Sequence, residues 1–541
     1  MVWLLNDVYD VEHRAYFMSE KKMELTPLKI RSHGASSVMH YDERYTPYIE
    51  MTGLLPFVQL VSRSTPNLNA AAVTTLIDRW RPETHSFHLR TGEMTVTLQD
   101  VSMITALPIE GKPLCMSTDS EGWRHQMEAL IGMSPQEPEV EDGGKKDRVP
   151  AGATFTWIAA NFAHCPEDAD DEVIQRYARV YMWYVISRTI FADGTDKNAP
   201  WMWLKALTVL DNKFSWGSAA LAYLYRQLDD ACRRTTKDGG VGGCMLLLSC
   251  DLVPEVASEV NLLYKQYTNE MDSLTPEQVE WEPYGDGTNF GDAHTFELNP
   301  LCVHERHLWL MRCPLICNWA VEWHLPHRVL RQFGYFQPHP PGWVDTDTQL
   351  HRLDRRRQRK IKDWQKHHKN YVLMFEQSVQ ATSSIQRTQY RQHCALAFSN
   401  YLRWFQESTR VEICPPAYEE DILEEPTEYD ELAQGGYSKL IREGYQTSFA
   451  PILNFVAADD MTLKAFQRSA YMLKPRKEFK RYSPDDYAKG KNPVAGGSRL
   501  SRMRSMDDEV EDDDDDESDD PEQFVVARRK KLVSKRGRGP K

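Results

Sequence analysis

Residues 76–114 read LIDRWRPETHSFHLRTGEMTVTLQDVSMITALPIEGKPL, and the local patterns in this stretch decide the fold class. Phe87 and Leu89 alternate with polar neighbours, and Met94 and Val96 do the same after Gly92, which permits a tight turn. Such alternation on both sides of a turn predicts a short two-stranded hairpin. A hairpin alone is marginal in water, so the pattern also requires other elements to pack against it.

Helices are predicted on both sides of the hairpin. Apolar residues occupy positions 68, 72, 76 and 80, which share one face of a helix that Pro82 would end. After the hairpin, Thr97 is placed to cap a second helix, with Asp100 near its positive end. Val101 and Ile104 mark the buried face of that second helix. Nothing in this unit indicates catalysis.

Six blocks of the chain resemble one family, the plant mobile domain, which includes the MAIN-like proteins of plants. In the stretch above they are WRPETHSF (80–87), GEMTVTLQDV (92–101) and ALPIEGKP (106–113). Elsewhere they are YDERYTPYIEMTGL (41–54), FSWGSAALAYLYRQL (214–228) and LWLMRCPLICNWAVEWHLPHRVLRQFGYF (308–336). The blocks cover most of the first 340 residues, so the resemblance is to a whole domain rather than to one motif.

The resemblance implies an origin in transposable elements and, for host proteins, nuclear roles in gene and transposon silencing, genome stability and meristem maintenance. It also implies partners among nuclear proteins, including a phosphatase-type member of the same family. Members are often labelled aminotransferase-like, which would require a Schiff-base lysine and an acidic partner for the cofactor ring. Neither residue can be nominated here, so we predict no cofactor and no catalysis. The alternative is a divergent, transposon-derived, metal-dependent enzyme of the nuclease or phosphatase type.

The composition predicts a soluble intracellular protein with a large core. The chain has 541 residues, 41% of them hydrophobic, and a net charge of -14. Residues 507–522 hold 13 carboxylates, and the rest of the chain is balanced to within one charge. Ten scattered cysteines indicate free thiols in a reducing compartment. Neither a signal peptide nor an apolar run of about 18 residues is recognisable, so we expect no membrane contact.

Three regions are predicted: a mainly α plant mobile domain with one small β-hairpin (1–340), a basic helical extension (341–480) and a disordered acidic-then-basic tail (481–541). Within the first region, residues 170–191 are predicted to form the core helix, and Ser215 to cap a helix through residue 228. Four glycines within 239–243 predict a turn, because they lack the order of a phosphate-binding loop. The domain is shorter than the family pattern near residues 250–258.

Two metal motifs are weighed and set aside. A cluster of potential ligands contains one loose pair, Cys313 and Cys317, interrupted by Pro314 and followed by a predicted apolar helix. Structural zinc sites use two tight pairs, so we predict buried thiols instead. Residues 291–294 (GDAH) resemble the first metal motif of serine/threonine metallophosphatases, but the companion motifs for a second metal ion are absent from the sequence. The full cluster is Cys302, His304, His307, Cys313 and Cys317.

Residues 352–369 carry nine Lys or Arg against two Asp, with aromatic residues at helical spacing. This pattern predicts a basic amphipathic helix. It either contacts nucleic acid weakly and without sequence preference, or docks on the domain through its aromatic stripe, and the sequence leaves both readings open. The candidate contact residues are Arg352, Arg355, Arg356, Arg357, Arg359, Lys360 and Lys362.

A second basic cluster lies at the end of the acidic tail. Its density in an unstructured segment is typical of an importin-binding signal, which predicts a nuclear protein. The residues are Arg528, Arg529, Lys530, Lys531, Lys535, Arg536 and Arg538.

Overall fold

The computed structural model describes the chain in segments that together hold nearly all of the first 413 residues. These segments are 4–30, 38–63, 68–136, 150–193, 197–236, 239–248, 260–279, 281–282, 284, 300–340, 350, 361–384 and 390–413. The predictions for residues 250–258, 291–294 and the tail fall outside them. Two compact units are distinguished, Met1–Tyr487 and Ala488–Lys541, and the second lies wholly outside the described residues.

Helices dominate the described part of the chain. They are α1 (Asp7–Asp10), α2 (Arg14–Ser19), α3 (Thr46–Thr52), α4 (Leu55–Arg63), α5 (Ala70–Ile77), α6 (Leu98–Thr105), α7 (Trp123–Ile131), α8 (Phe155–Phe162), α9 (Asp171–Arg188), α10 (Trp201–Ala206), α11 (Trp216–Ala231), α12 (Val260–Asp272), α13 (Pro300–Val303), α14 (Trp364–His367), α15 (Lys369–Ser384) and α16 (Ala395–Ser408). Among them, none is both long and apolar enough to cross a membrane.

Short strands form four small sheets in the described residues, so the prediction of one hairpin was too few. They are β1 (Lys29–Ile30), β2 (Trp80–Arg81), β3 (Ser86–Leu89), β4 (Gly92–Met94), β5 (Gly152–Thr154), β6 (Asn198–Pro200), β7 (Gly240–Val241), β8 (Cys313–Cys317) and β9 (Ala320–His324). Strands β1 and β7 pair in parallel, whereas β2-β3-β4, β5-β6 and β8-β9 are antiparallel. Among the predicted turn glycines, Gly240 therefore lies in β7, with Gly239 and Gly242 on either side of the strand, and Met245–Leu248 follows as a 3-10 helix.

The predicted hairpin is confirmed as β3-β4, which we call the first hairpin. Phe87 pairs with Met94 and Leu89 with Gly92. The backbone φ of Gly92 is 121°, and a Cβ there would lie 3.2 Å from the Tyr401 ring, so both conformation and space favour glycine. The helix before the hairpin ends at Ile77, earlier than predicted, because Trp80 leaves the helix to pair with Phe87 in the sheet.

The helix after the first hairpin begins as predicted. Thr97 and Asp100 form a capping box at α6, in which the side chain of each residue accepts from the backbone N–H of the other. The helix ends at Ala106, which adopts a left-handed conformation.

The core helix is also confirmed. α9 begins after Asp170, whose side chain accepts from Val173 N, and every residue from Ala178 to Ser187 is buried. The helix α11 is buried along most of its length, and Ser215 occupies its N-cap position as predicted, but the Ser215 side chain makes no capping hydrogen bond. The Ser215 hydroxyl donates instead to the carbonyl of Ile109, which ties α11 to the segment after α6.

Residues after 340 add to the same core. Trp364, Phe375 and Phe405 are at most 1% exposed and belong to the main hydrophobic cluster. The predicted continuous basic helix is interrupted, since α14 begins after its cap Asp363 and ends at His367, and His368 separates it from α15. Tyr401 lies on α16, and α16 packs on β4.

Candidate functional site

The segment that links α5 to α6 places its charged side chains inside the protein. Arg79, Arg81, Glu83, His85 and Glu93 are each at most 2% exposed. Burial of an ionised group is costly unless the group is paired, so each of these needs a partner from another part of the chain. Arg79 pairs with Asp272 and Arg81 with Asp10. The partners of His85 and Glu93 form two further sites, which we call the His85 cluster and the Glu93 network.

The His85 cluster joins three distant segments of the sequence. His85 lies between β2 and β3, Asp229 on α11 and Glu322 on β9. The Nε2 atom of His85 is 2.9 Å from Oε2 of Glu322 and 4.0 Å from Oδ2 of Asp229. One donor atom from each residue lies within 4.8 Å of the other two, the spacing of a group that could hold a metal ion.

Other contacts fix the orientation of the His85 ring. Its Nδ1 atom is 3.0 Å from the carbonyl oxygen of Trp323, and its plane stacks on Tyr225 at a centroid distance of 5.0 Å. The backbone φ of His85 is 49°, an uncommon value for a residue with a side chain. The ring is therefore held by its backbone, by a hydrogen bond and by stacking.

In each of the two carboxylates, the oxygen that does not face His85 is bonded to another side chain. Trp80 donates its indole N–H to Oδ1 of Asp229 at 2.7 Å. Arg226, one turn before Asp229 on α11, pairs with Oε1 of Glu322 and donates to the carbonyl of Leu350 at 2.9 Å. Each carboxylate thus presents its second oxygen to His85. All three cluster residues are at most 1% exposed, so this arrangement is closed to a substrate.

The Glu93 network ties the first hairpin to the segment after β9. Arg328 donates from Nε and Nη2 to the two oxygens of Glu93, at 2.7 and 2.8 Å. Ser86 donates to the same carboxylate at 2.8 Å, and the Glu93 backbone N–H donates to the hydroxyl of Tyr401 on α16. Bidentate pairing with full hydrogen bonding makes a buried ion pair tolerable.

His88, also on β3, contacts hydroxyl groups on both sides. Its Nε2 is 3.1 Å from Oγ1 of Thr84, and its Nδ1 is 2.6 Å from Oγ1 of Thr409. Burial, with Arg81 and Arg328 nearby, holds the pKa of His88 well below its usual value. This histidine is consequently neutral, and it joins the first hairpin to the end of α16.

Of the seven candidate contact residues in the basic segment, Lys362 is described. The other six, Arg352, Arg355, Arg356, Arg357, Arg359 and Lys360, lie outside the described residues. The Lys362 ammonium is 2.9 Å from Asp119 and 3.6 Å from Glu121. The pKa of Lys362 is raised, mainly by the hydrogen bond with Asp119. The aromatic stripe docks, since Trp364 is fully buried and donates to Thr118 at 2.9 Å. The basic cluster of residues 528–538 is outside the described residues as well.

The thiols are buried as predicted. Cys302, Cys313 and Cys317 are each at most 3% exposed, and burial raises the pKa of Cys302 to about 12. His304 is exposed. The helix predicted after Cys317 is wrong, because Cys313–Cys317 is strand β8 and the chain turns at Asn318 into β9. We call β8-β9 the second hairpin.

Sequence reasoning missed the His85 cluster, although its residues stand in or beside three of the six blocks. His85 is in the block at 80–87, Glu322 is in the block at 308–336, and Asp229 follows the block at 214–228 by one position. The available signal was Glu322, which is the single acidic residue of its largely apolar block. Only the fold brings the three together.

Comparison with known proteins agrees with the resemblance. The profile of the plant mobile domain matches residues 56–252 and 253–406. Among curated proteins of Arabidopsis thaliana, the chain is 30% identical to Serine/threonine-protein phosphatase 7 long form homolog over 389 residues, 64% of this chain and 27% of that protein. It is 31% identical to Protein MAIN-LIKE 1 over 53% of this chain and 58% of that protein.

A third relative is Protein MAINTENANCE OF MERISTEMS, also of Arabidopsis thaliana. The chain is 30% identical to it over 298 residues, which are 51% of this chain and 59% of that protein. The chain thus spans from about a quarter to three fifths of the length of these relatives. No solved structure matches the chain.

Proposed function

Because the chain belongs to the plant mobile domain family, we propose that it is a non-catalytic interaction protein of the nucleus. Its role is in transposon or gene silencing, genome stability or meristem maintenance, either as a host protein or as a transposon-encoded relative. The observation that carries this proposal is the similarity to Protein MAINTENANCE OF MERISTEMS and Protein MAIN-LIKE 1 over half of the chain.

The disposition of the charged residues supports a binding role over a catalytic one. In the described segments, buried charged side chains of the family blocks bond to distant parts of the chain, as His85 does with Glu322 and Glu93 with Arg328. A catalytic group must reach a substrate, whereas these groups are at most 2% exposed. Their chemistry serves to hold distant segments together, which leaves the outer surface for partners.

The partners we propose are nuclear proteins, among them a phosphatase-type member of the same family. The relative named Serine/threonine-protein phosphatase 7 long form homolog shares the matched region with this chain.

Complementation in plants tests the role. The full chain would be expressed in Arabidopsis plants that lack Protein MAINTENANCE OF MERISTEMS, and the same nuclei would be used for affinity purification. Restored meristems and recovery of a phosphatase-type family member are expected. Nuclear accumulation without either result contradicts the proposal. A chain with Trp80→Ala, which should be strongly destabilised, is the matched negative control.

Nuclear import is proposed to depend on the cluster at residues 528–538. Fusion of residues 528–541 to a fluorescent reporter should concentrate the reporter in nuclei, because the cluster is dense and basic. A fusion in which Arg528, Arg529, Lys530 and Lys531 are replaced by Gln is the control. An even distribution of the unaltered fusion would contradict the assignment.

Nucleic-acid contact is a further part of the proposal, and Lys362 offers a matched comparison. Since Lys362 already pairs with Asp119 and Glu121, its replacement should affect binding of a short duplex less than replacement of Arg355 and Arg356. Binding measured by fluorescence anisotropy should weaken steeply as salt rises, because phosphate contacts release counterions. Equal binding by Arg355→Glu/Arg356→Glu, Lys362→Glu and the parent chain would assign the segment to docking alone.

A metal-dependent nuclease or phosphatase is the second candidate function, and the His85 cluster is the observation that favours it. A nitrogen and two carboxylate oxygens are suitable ligands for a catalytic metal ion. Its enclosure argues for a structural use. Hydrolysis of DNA or of a phosphomonoester that depends on added metal and is lost in Glu322→Gln would establish this candidate in place of the first.

A further inference from the structure

The hydrogen bond on one side of the His85 ring decides what the other side presents. A backbone carbonyl only accepts, so Nδ1 of His85 donates to Trp323 O. In a neutral ring, Nε2 then carries a lone pair, and this atom faces Oε2 of Glu322 at 2.9 Å. Two electron pairs at that separation repel each other. A positive charge must lie between them, either a proton or a metal cation.

The spacing of the donor atoms suits a small metal ion. Ligand atoms about 2.0–2.2 Å from a tetrahedral zinc ion are roughly 3.3 Å from each other. The two separations measured from Nε2 of His85, 2.9 and 4.0 Å, lie on either side of that value. The third separation, between the two carboxylate oxygens, is within 4.8 Å, so shifts of about 1 Å or less would bring the three atoms into coordination. Zinc sites with three protein ligands take water as the fourth.

The contacts outside the donor atoms follow the arrangement of metal sites. Metal-binding histidines usually donate their other ring N–H to a carbonyl or carboxylate, and ligating carboxylates are hydrogen-bonded in turn. Here Trp323 accepts from His85, Trp80 donates to Asp229 and Arg226 pairs with Glu322. With these contacts made, Nε2 of His85, Oδ2 of Asp229 and Oε2 of Glu322 face one another.

The two carboxylates of the cluster outnumber the arginine that pairs with Glu322. Asp229 and Glu322 bring two negative charges and Arg226 brings one positive charge, all nearly fully buried. Arg226 lowers the affinity for a metal ion, which favours an ion that also gains from an imidazole nitrogen over one that binds oxygen alone. Zinc has that preference, whereas magnesium and calcium prefer all-oxygen sites.

We propose that His85, Asp229 and Glu322 bind one zinc ion, which joins the motif between β2 and β3 to α11 and to the second hairpin. The ion is structural, because the site is closed and its ligands come from three segments that are distant in the sequence. Its role is to stabilise the arrangement of those segments, whatever partner the protein binds.

Metal analysis of the full chain tests the proposal. The protein would be purified without a polyhistidine tag, and its metal content measured by mass spectrometry after gel filtration. About one zinc ion per chain is expected, as is a lower melting temperature after removal of the metal by a chelator and recovery on adding zinc. His85→Gln and Glu322→Gln should each lose the ion.

The control is His88→Gln, a change to another buried histidine three residues farther along the chain. His88 contacts the hydroxyls of Thr84 and Thr409, which donate or accept as needed, so this variant should keep its zinc. If the variants do not fold, the zinc content and chelator response of the unaltered chain decide. Metal-free protein whose melting ignores both chelator and zinc would overturn the proposal and assign a proton to the cluster. Zinc retained by a folded His85→Gln chain would overturn it too, by placing the ion elsewhere.

Discussion

The two hairpins of this protein show different sequence patterns yet are buried to a similar degree. The first hairpin alternates apolar and polar residues, as in Phe87, His88 and Leu89, and all of β3 and β4 is buried. The second hairpin begins with a run of five buried residues, CPLIC, which lacks any alternation. Alternation normally marks a strand with one face in water, and an unbroken apolar run marks a strand covered on both faces.

The difference lies in what covers the outer face of each hairpin. On the first hairpin, α16 covers β4, and the polar face bonds to Arg328, Tyr401 and Thr409. On the second, β8 packs against both α11 and α15. A polar cover requires polar strand residues, and an apolar cover requires apolar ones. The alternation of apolar and polar residues along a strand therefore indicates whether the element packed on its outer face is polar or apolar. It does not indicate whether that face is covered.

The largest effect is expected for Trp80→Ala beside the first hairpin. Trp80 is fully buried, contacts the rings of Phe87 and Tyr225, and donates to Asp229. Loss of the ring leaves a large cavity and removes a donor from a buried carboxylate, so the free energy of unfolding should fall by about 5 kcal/mol. Chemical denaturation measures it. Trp157→Ala, at a partly exposed tryptophan of α8, should cost much less, and equal losses would show that the burial of Trp80 is not decisive.

Residues close together in the sequence were enough to predict the first hairpin. The second hairpin depends on contacts with helices that are distant in the sequence. Thr97 and Asp100 lie three residues apart, so their capping box is visible in the sequence. The strand at Cys313 depends on α11 and α15, and its apolar run resembles a buried helix as much as a strand. At Trp80 the local signal was misleading. Its spacing from Leu76 fits a helix, but Trp80 pairs with Phe87 in the sheet.

The next effect concerns the ion pair between Glu93 and Arg328. Arg328→Met leaves the Glu93 carboxylate buried without its bidentate partner, so the free energy of unfolding should fall by roughly 3 kcal/mol. The double variant Glu93→Leu/Arg328→Met removes both charges and should recover much of that loss. Chemical denaturation of the parent chain, the two single variants and the double variant gives the coupling free energy between Glu93 and Arg328. If the double variant is no more stable than Arg328→Met, the pair does not act as a buried ion pair.

A smaller effect depends on pH and arises in the second hairpin. His324 donates from Nδ1 to Met311 O at 2.7 Å and accepts from Leu98 N at Nε2, and burial lowers its pKa to about 4. The unfolded chain, with a histidine pKa of about 6.5, binds a proton in the range where the folded chain does not. Stability should therefore fall as pH drops from about 6.5 to about 4, by up to about 1.4 kcal/mol per pH unit.

Substitution isolates the contribution of His324 from those of other buried histidines. Burial is also the main cause that lowers the pKa values of His13 and His88. These residues therefore add to the dependence of stability on pH in the same direction as His324. In His324→Gln, the amide can keep both hydrogen bonds without titrating, so the dependence of stability on pH should become shallower by about one proton. Exposed His125→Gln is the control and should keep the parent slope. Parallel curves for parent and His324→Gln would contradict the assignment.

The smallest effect is expected where the first hairpin leads into α6. Thr97→Ala removes the hydroxyl that accepts from Asp100 N, while the Asp100 carboxylate keeps its bond to the Thr97 backbone N–H. Because one half of the capping box survives, the free energy of unfolding should fall by only about 1 kcal/mol. Thr97→Ser retains the hydroxyl and is the matched control, so denaturation should place it near the parent chain. A loss of several kcal/mol in Thr97→Ala would mean that the cap also holds the first hairpin in register, and an equal loss in both variants would assign the effect to the missing methyl group.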